Sequence, residues 1–474
     1  MKIKQIIIIS ILIVLNGLFN LKTLNLAITI PEFIVVLFFL FRKQTDKALF
    51  WHTIFFVTSF SNIFTEDFLF LNNITSNISF NYANYGFHGL RYSLVLTYII
   101  IIVQNSYKKI SQEVKQTTFY KLFKFLVYCT ATGILLGVLG LMLLDYSFIN
   151  FLQYSYYALL CLGFAWSYLY EYETSLKDDF YNIIPFILAI AVIFDFICLL
   201  TGLKQDLIVI GSCSLSAYCF ILIPLLLFQK RSIPILIIVG LELYLMTAHT
   251  SGKQIYSMFI LFGATVIMSF RKNVRQNIGG FNQIKILIII LLAVVGYPTL
   301  KLLMSSGAEE QEGNLEWKMR SVESLTNFFT GQGSMSDVSA SPYIRVAELS
   351  NIIYEDIRNP LYLTLGRGFG GYYRDYLNLF SGYDLANGAF SMEDIMTGQF
   401  SYGHDTFVTV PMLNGFIGFF MLMSLIIAMC RKASKNYLYL SSLMFLLLWF
   451  YFDVLMGVIG VMLLFAAEHR VQKT

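Results

Sequence analysis

The sequence predicts an all-α polytopic membrane protein with about fourteen transmembrane helices, within a range of about 12–14. Three observations lead to this fold class. Hydrophobic residues make up 57% of the 474 residues and charged residues 13%, whereas a soluble domain carries about 25% charged residues. Apolar runs near the ~20 residues needed to cross the hydrocarbon core recur along the chain. Lysine and arginine are concentrated in alternate loops, as the positive-inside rule describes.

Fourteen apolar segments follow one another along the chain. They cover residues 5–21, 24–41, 48–64, 92–105, 122–144, 151–170, 181–200, 207–228, 232–248, 254–270, 284–303, 406–429, 437–452 and 454–467. Four of these are short, and the last two straddle Asp453, so they could form one re-entrant hairpin instead of two spans. The first segment has no small-residue cleavage site after it, so we expect a retained helix.

The distribution of basic residues predicts the orientation. If the N-terminus is inside, the cytoplasmic segments hold most lysines and arginines, and the short outer loops hold only Lys22, Arg91, Lys204 and Lys253. Both termini then face the cytoplasm, and the long loop lies outside the cytoplasmic (inner) membrane. The predicted regions are transmembrane helices 1–11 in residues 1–303, the extracytoplasmic (periplasmic) loop 304–405, and C-terminal transmembrane helices with a cytoplasmic tail in residues 406–474.

Composition argues against two function classes. The net charge of +4 is too small to indicate nucleic-acid binding. The six cysteines fall in or at the ends of apolar segments, and their spacing indicates neither a disulfide framework nor a zinc site. We therefore expect buried cysteines and no nucleic-acid partner.

The long loop is the place for a large polar site. Its first half is rich in Gly, Ser, Glu and Asp, which predicts a mobile stretch. Ser341-Pro342 then predicts a helix start, and Asn359-Pro360 predicts its end. Between them we expect an amphipathic helix on the membrane face of the protein. Its apolar face carries Val346, Leu349, Ile353 and Ile357, and its opposite face carries Arg345, Glu348, Glu355 and Asp356.

Several residues of this loop form a recognisable pattern. Arg345 on the short helix is followed by Asn359-Pro360-Leu361 and by a glycine cluster at positions 366, 368 and 370. His404 stands at the mouth of the next helix, and Asn414-Gly415-Phe416-Ile417-Gly418 lies just inside it. This arrangement over residues 341–420 resembles the bacterial O-antigen polymerase and O-antigen ligase superfamily, which includes the oligosaccharide repeat unit polymerases.

The resemblance implies a GT-C-type glycosyltransferase architecture with one large extracytoplasmic loop, without a cofactor and without a metal ion at the site. The substrate would be an oligosaccharide linked to undecaprenyl diphosphate. His404 and Arg345 would be catalytic residues. The residues that would bind the diphosphate or the glycan are Lys253, Arg367, Gly368, Gly370, Asp405 and Asn414.

These residue types suit glycosyl transfer from a lipid diphosphate. Arginine binds two phosphate oxygens at once and stays charged, so it can neutralise the leaving group. Histidine titrates near neutral pH and can take the proton of the acceptor hydroxyl. Glycines allow the backbone to approach a bulky glycan. Each residue also has a simpler interpretation: a solvated surface charge for Arg345 or Arg367, and turns for the glycines.

Two positions depart from the pattern of the family. Family members carry a basic residue, usually arginine after serine, upstream of the long loop, and the nearest match here is Thr250-Ser251-Gly252-Lys253. Lys253 could instead anchor a loop at the membrane interface. The histidine is commonly followed by asparagine, and here Asp405 takes that place and can still accept a hydrogen bond.

Acidic residues inside apolar segments are further candidates. Asp195 and Glu242 lie within apolar spans, where a carboxylate is costly and is a functional hypothesis by default. Asp195 could equally form one satisfied polar pair with a basic residue across the bundle. Asp195 and Glu242 are the features that would support transport.

The leading hypothesis is polymerisation of lipid-linked oligosaccharide repeat units into O-antigen or a similar surface polysaccharide. A ligase that transfers polymer to the lipid A-core shares the same site residues and stays open. A transporter or flippase for the same lipid-linked sugar is a third hypothesis, although two related halves are not visible. The expected partners are the undecaprenyl-diphosphate-linked oligosaccharide, the lipid bilayer and a chain-length regulator protein.

Overall fold

The computed structural model describes only part of the chain. The described residues are 3–18, 22–59, 82–83, 85–87, 90–201, 340–380, 390, 392–433, 436, 438–449 and 454–468. The chain forms two compact units, one of residues 1–190 and 324–474 and the other of residues 191–323. In the second unit, the described residues are 191–201, the end of one helix.

The described residues are mostly helical. In chain order the helices are α1 (Ile3–Leu18), α2 (Lys22–Phe41), α3 (Thr45–Thr58), α4 (Tyr92–Asn105), α5 (Thr118–Leu143), α6 (Phe148–Tyr170), α7 (Leu176–Thr201), α8 (Ala340–Arg358), α9 (Pro360–Leu365), α10 (Met392–Thr397), α11 (Thr406–Ala433), α12 (Leu438–Trp449) and α13 (Val454–Ala467). A two-residue antiparallel ribbon, β1 (Gly86–Phe87) and β2 (Leu90–Arg91), precedes α4, and a 3₁₀ turn, Val114–Gln116, precedes α5.

Three helices of the described part are long and apolar enough to cross a membrane. Helices α5, α6 and α11 have 26, 23 and 28 residues. At about 1.5 Å per residue α5 and α6 are about 34–39 Å long, which exceeds the hydrocarbon core of about 30 Å; α11 has the most residues but is interrupted at Gly415. Several shorter apolar helices accompany them. The expected class, an all-α membrane protein, is confirmed at this level, and the number of spans stays a prediction.

Most helices begin and end close to the predicted apolar segments. The bounds of α4 and α13 coincide with the predicted segments 92–105 and 454–467. Helices α5 and α6 begin a few residues before their apolar runs because Thr117 and Ser147 cap them, each accepting a hydrogen bond from a backbone N–H of the first turn. The predicted segments between residues 207 and 303 lie outside the described residues.

The buried carboxylate of Glu171 holds three helix ends together. Its Oε1 accepts hydrogen bonds from Thr45 at the start of α3 (2.8 Å) and from Gln104 at the end of α4 (3.1 Å). Lys108 forms an ion pair with its Oε2. The start of α3 and the ends of α4 and α6 therefore meet at one end of the helix bundle.

Glu468 continues this end of the bundle. Its carboxylate accepts a hydrogen bond from the backbone N–H of Thr118 at the start of α5 (3.0 Å) and pairs with Lys432 at the end of α11 (3.2 Å). Tyr172, just after α6, donates to the same carboxylate at 3.3 Å. The end of α5 and the start of α6 consequently lie at the opposite end of the bundle.

Helices α12 and α13 pack on each other as an antiparallel pair. Asn436 Nδ2 donates to Ala467 O at 2.9 Å, and Ser442 Oγ donates to Gly460 O at 2.6 Å. The helices have 12 and 14 residues, fewer than the ~20 that span the hydrocarbon core. Both predicted arrangements, two spans or one re-entrant hairpin, would pack as such a pair, so the choice between them stays a prediction.

Candidate functional site

The candidate site lies where α8 meets the residues just before α11. Arg345 and Glu348 are three residues apart, about one turn of α8, and His404 and Asp405 are adjacent in the chain. Glu348 Oε1 is 2.7 Å from His404 Nδ1, and Arg345 Nε is 3.5 Å from Asp405 Oδ2. Two acid–base pairs thus stand side by side, with one member of each pair on α8.

Glu348 is the most enclosed member of this group. Its side chain is 0% exposed, and both carboxylate oxygens accept hydrogen bonds. Oε1 accepts from the Tyr373 hydroxyl at 3.1 Å, and Oε2 accepts from the backbone N–H of His404 at 3.2 Å. The carboxylate therefore holds the histidine by its ring and by its main chain, which leaves the ring little freedom to turn.

Tyr373 is tied to the strand-like segment that leads to His404. Its N–H donates to Phe400 O at 3.0 Å, and the Phe400 N–H donates to Tyr373 O at 2.9 Å. Burial and the neighbouring Glu348 raise the pKa of the Tyr373 hydroxyl well above its ordinary value. The hydroxyl consequently stays protonated and donates a hydrogen bond to the carboxylate.

Aromatic side chains border the histidine. The Phe390 ring meets the His404 ring edge to face, with centroids 5.0 Å apart. Phe390 in turn packs on Phe400 at 4.7 Å, and Phe400 stacks on Tyr373 at 5.5 Å. His404 remains 17% exposed at the edge of this cluster, so part of its side chain stays accessible.

Arg345 and Asp405 form the more open pair. Their side chains are 26% and 17% exposed. Asp405 Oδ1 also accepts a hydrogen bond from the Val408 N–H at 3.1 Å, so the same carboxylate caps the start of α11. The cap holds Asp405 in place whether or not Arg345 stays bound to it.

Arg367 is buried and paired, with a side chain that is 1% exposed. Its Nη2 donates to Asp356 Oδ1 at 2.6 Å, and Nη1 donates to Tyr372 O at 2.8 Å and lies 3.2 Å from Glu355 Oε2. Both carboxylates are on α8. Arg367 therefore joins α8 to the glycine segment, and contact with substrate stays a prediction that this burial does not favour.

Burial changes the pKa values of the two carboxyl groups around Arg367. Burial raises the pKa of Asp356 above its ordinary value, and the Arg367 charge opposes the rise. Burial likewise raises the pKa of Glu355, again against Arg367. The positive charge of Arg367 thus favours the ionised form of two carboxyl groups that burial would otherwise keep protonated.

The glycine segment threads between α5 and α11. Gly366, Gly368 and Gly370 have φ values of 81°, 79° and 80°, which a side chain disfavours. A Cβ at Gly368 would lie 2.4 Å from Gly137 N of α5. At Gly366 it would lie 2.4 Å from Asn414 N of α11. The close approach that these glycines permit is to protein backbone.

Helix α11 is interrupted where the glycine segment meets it. Gly415 has φ 63° and ψ −168°, outside the helical region. The N–H groups of Arg367 and Gly368 donate to Met412 O (2.9 Å) and Leu413 O (3.0 Å), just before this break. Backbone carbonyls near a helix break need such partners when they are buried.

Asn414 fastens the break to α5. Its Nδ2 donates to Cys129 O and to Thr132 Oγ1, both at 3.0 Å. The side chain is fully buried. Its position is that of a scaffold residue beneath the site, and direct contact with a glycan stays a prediction.

The structure brings together three of the predicted site residues, Arg345, His404 and Asp405. Arg367 pairs with carboxylates of α8, Gly368 and Gly370 lie against α5 and the start of α6, and Asn414 bonds to α5, so these four residues contact the protein scaffold. Lys253 and Glu242 lie outside the described residues, and for Asp195 the structure describes only its backbone, in α7.

Sequence reasoning did not identify Glu348 and Tyr373 as members of the site. Glu348 could have been found, because it lies one turn from Arg345 on the same predicted helix. For Tyr373 no local signal exists, since its contact depends on the pairing with Phe400. Glu32 of α2, a carboxylate 3% exposed within an apolar run, was also missed.

The helix that carries the site differs from the prediction in two details. Helix α8 begins at Ala340, so the predicted cap Ser341 lies inside its first turn. Asn359-Pro360 does end it, and Asn359 Oδ1 then caps the unpredicted short helix α9 by accepting from the Leu361 N–H at 3.1 Å.

The described side chains offer proton transfer and charge neutralisation. Among the described residues, no group of three or more His, Cys, Asp and Glu side chains is arranged to hold a metal ion. Each acidic residue at the mouth instead faces a basic partner. No protein-family model matches the chain, and no curated protein matches it. Function is therefore argued from the geometry and from the motifs of residues 341–420.

Proposed function

We propose that this protein is a membrane glycosyltransferase that polymerises undecaprenyl-diphosphate-linked oligosaccharide repeat units into O-antigen or a similar surface polysaccharide. The observation that carries the proposal is the double pair at the mouth of α11, in which Glu348 holds His404 and Asp405 holds Arg345. The proposal includes a GT-C-type architecture with about 12–14 spans. It also places the reaction on the outer face of the cytoplasmic membrane.

His404 is assigned the role of general base. The Glu348 carboxylate accepts a hydrogen bond from Nδ1–H of His404, so the ring lone pair is on Nε2. Nε2 takes the proton of the acceptor hydroxyl while the hydroxyl oxygen bonds to the anomeric carbon of the donor sugar. The imidazolium that forms is stabilised by the buried Glu348 carboxylate, much as a triad carboxylate acts on its histidine.

Arg345 is assigned the role of neutralising the leaving group. As the new bond forms, the bond from the anomeric carbon to the diphosphate oxygen breaks, and the diphosphate takes the electron pair. The Arg345–Asp405 distance of 3.5 Å is longer than the about 2.7–2.9 Å of a strong charge-assisted hydrogen bond. Phosphate oxygens can therefore replace Asp405 on the guanidinium, while Asp405 stays bound to the start of α11.

The position of basic residues supports an outward-facing site. The helix ends gathered around Glu171 and Glu468 are rich in lysine and arginine, whereas the site is next to the opposite ends of α5 and α6. By the positive-inside rule the basic end faces the cytoplasm. The basic residues at or near it are Arg42, Lys43, Lys47, Lys108, Lys109, Lys115, Lys121, Lys124, Lys177, Arg431 and Lys432.

The test is a deletion of the gene in its own host, followed by separation of the surface polysaccharide on a silver-stained gel. A polymerase deletion leaves core bearing a single repeat unit in place of a ladder. Plasmids encoding Arg345→Ala or His404→Ala should not restore the ladder, although both proteins are made and inserted. Arg374→Ala is the matched control, because it removes an exposed arginine of the same loop, and it should restore the ladder.

Two other outcomes would reject the proposal. Bare core together with long polymer on the lipid carrier would identify a ligase. The ladder could instead survive the deletion, or both site variants could restore it. Either result would contradict the catalytic roles of Arg345 and His404 and would favour the transporter hypothesis.

A further inference from the structure

Helix α8 buries three polar and three apolar residues against the protein and leaves a row of aliphatic residues exposed. Its buried residues are Ile344, Ala347, Glu348, Asn351, Ile352 and Asp356. On the other side, Val346, Ile353 and Ile357 are 47%, 40% and 66% exposed, and Leu361 of α9 continues the row at 51%. These four residues are called the apolar strip. Large aliphatic side chains in a row on a surface indicate a binding partner or a membrane.

The hydroxyl groups along the strip do not depend on water. Ser350 Oγ donates to Val346 O at 2.7 Å, within its own helix. Thr364 Oγ1 donates to Pro360 O at 2.8 Å in α9. A hydroxyl that bonds to a carbonyl of its own helix needs no outside partner, which is the arrangement required in an apolar solvent.

The segment that follows the strip lies within the length of a helix that can cross a membrane. Phe369 N donates to Gly133 O at 2.8 Å. Gly133 is ten residues before Leu143, the last residue of α5, which is about 15 Å along the axis. Backbone at such a depth is tolerated when it is buried in protein, as the glycine segment is.

The strip is continuous with the exposed apolar surface of α11. The end of α9 abuts α11, because a Cβ at Gly415 would lie 2.4 Å from Thr364 O. Directly after Gly415, Phe416 and Ile417 are exposed large hydrophobic residues. Helix α11 is one of the three that can cross a membrane, so its exposed apolar side chains face lipid.

We propose that the apolar strip contacts bilayer lipid, so that α8 lies in the membrane interface with its charged face turned to the protein. Near the end of α8, the Arg358 guanidinium stacks 3.8 Å from the centroid of the Tyr354 ring. Aromatic and basic side chains are common anchors at this level of a membrane. The inference goes beyond the proposed function and does not depend on it, because it concerns how the helix is held and not what it catalyses.

The experiment measures the surroundings of single nitroxide labels in the full chain reconstituted in phosphatidylcholine vesicles. The variants Ile353→Cys and Ile357→Cys are made in a background whose six cysteines are replaced by alanine. Collision rates with oxygen, which enters lipid, are compared with those of a water-soluble nickel chelate. Ile427→Cys, at an exposed position of α11, is the control for a label in lipid, and Arg374→Cys, at an exposed position of the loop, is the control for a label in water.

Both strip labels should collide several-fold more often with oxygen than with nickel, as at Ile427. Labels that behave like Arg374 would overturn the proposal by showing the strip in water. Labels shielded from both reagents would overturn it as well, because a second copy, another protein or another part of this chain would then cover the strip.

A second measurement uses the wild-type chain and so does not depend on the cysteine-free background. A hydrophobic diazirine dissolved in the same vesicles is photolysed, and labelled residues are located by mass spectrometry. Label on Ile353, Ile357 and Leu361, without label on Ile344 and Ile352, is the expected result. The reverse pattern, or an unlabelled α8, contradicts the proposal. A catalytically inactive protein gives the same labelling, so the outcome is separable from that of the gel assay.

Discussion

Helix α8 carries two charge networks about two turns apart, and they differ in how open they are. In the first, called the mouth network, Arg345 and Glu348 pair with the two residues before α11, and the Arg345 side chain is 26% exposed. In the second, called the buried network, Glu355 and Asp356 surround Arg367, which is 1% exposed. The same residue types thus form the open candidate site in one place and a buried structural contact in the other. Exposure and the partners of each charge, rather than membership of a motif, distinguish the two.

The largest effect is expected in the buried network. Arg367→Met removes the cation between two desolvated carboxylates, so the free energy of unfolding should fall by about 3–5 kcal/mol. The thermal midpoint of the protein in nanodiscs measures this loss. Arg374→Met, at an exposed arginine, should change stability by no more than about 0.5 kcal/mol. Equal midpoints for the two variants would show that Arg367 does not stabilise the buried network more than an exposed arginine of the same loop does.

The same variant should acquire a pH dependence. Burial raises the pKa of Asp356 and of Glu355, and Arg367→Met removes the main charge that opposes this rise, while Arg374 still acts against it at Glu355. The folded protein then binds protons more tightly than the unfolded chain, so stability is lost as pH rises through the raised pKa. As the pH rises from about 5 to about 8, the thermal midpoint of Arg367→Met should fall more steeply than that of the wild-type protein. A midpoint that rises over this range would show that the carboxyls do not titrate as described.

Substitutions in the mouth network should have the opposite effect: the rate of sugar transfer should fall while the thermal midpoint stays unchanged. Arg345→Ala should lower the rate of sugar transfer by about 10²–10³-fold, the scale of one preorganised charge partner. His404→Ala should lower it by about 10²–10⁴-fold, the range of general-base catalysis. Transfer is measured with purified protein and a lipid-linked repeat unit, beside the thermal midpoint. A variant that loses both in proportion would indicate a structural role.

A smaller effect should separate two glycines that share a left-handed backbone. Gly368→Ala places a methyl group 2.4 Å from Gly137 N, so we expect a loss of about 3 kcal/mol from strain and overpacking. At Gly398, φ is 63° and nothing lies within 4 Å of the new Cβ. Gly398→Ala should therefore cost only about 1 kcal/mol, the penalty of the conformation itself. Thermal midpoints of both variants make the comparison.

The smallest effect is expected at Tyr373. Tyr373→Phe removes one of the hydrogen bonds to Glu348, worth about 1 kcal/mol or about fivefold in rate. The loss should appear in kcat and not in KM, because the tyrosine acts on the orientation of His404. Glu348→Gln should lower kcat further, since it also removes the charge that faces the imidazolium. If the two variants are indistinguishable, the carboxylate charge contributes nothing.

The sequence predicted the helices well where lipid and polar loops alternate sharply. The bounds of α4 and α13 follow directly from apolar runs flanked by polar residues. The amphipathic helix at 343–358 was also expected, but periodicity indicates only that two faces exist. Either lipid or protein can cover an apolar face, and so the burial of Glu348 and Asp356 could not be read from the pattern.

The residues at the mouth of the candidate site were predictable from the sequence, and the residues that hold them in place were less so. Arg345, His404 and Asp405 were each identified from the motif, and the structure places them together. Tyr373 reaches Glu348 because its backbone pairs with Phe400, a contact that no local pattern encodes. The glycine cluster was expected to approach a glycan, and its closest neighbours are the backbones of α5 and α11 because the segment fills the gap between those helices.

The three-residue spacing of Arg345 and Glu348 limits how this protein can tolerate insertions and deletions. The two side chains pair with two adjacent residues, Asp405 and His404, so one rotational orientation of α8 about its axis allows both pairs to form. One residue added between them would turn Glu348 by about 100° relative to Arg345. Both partners could not then be met at once. Length changes that preserve the site are therefore confined to positions outside this turn.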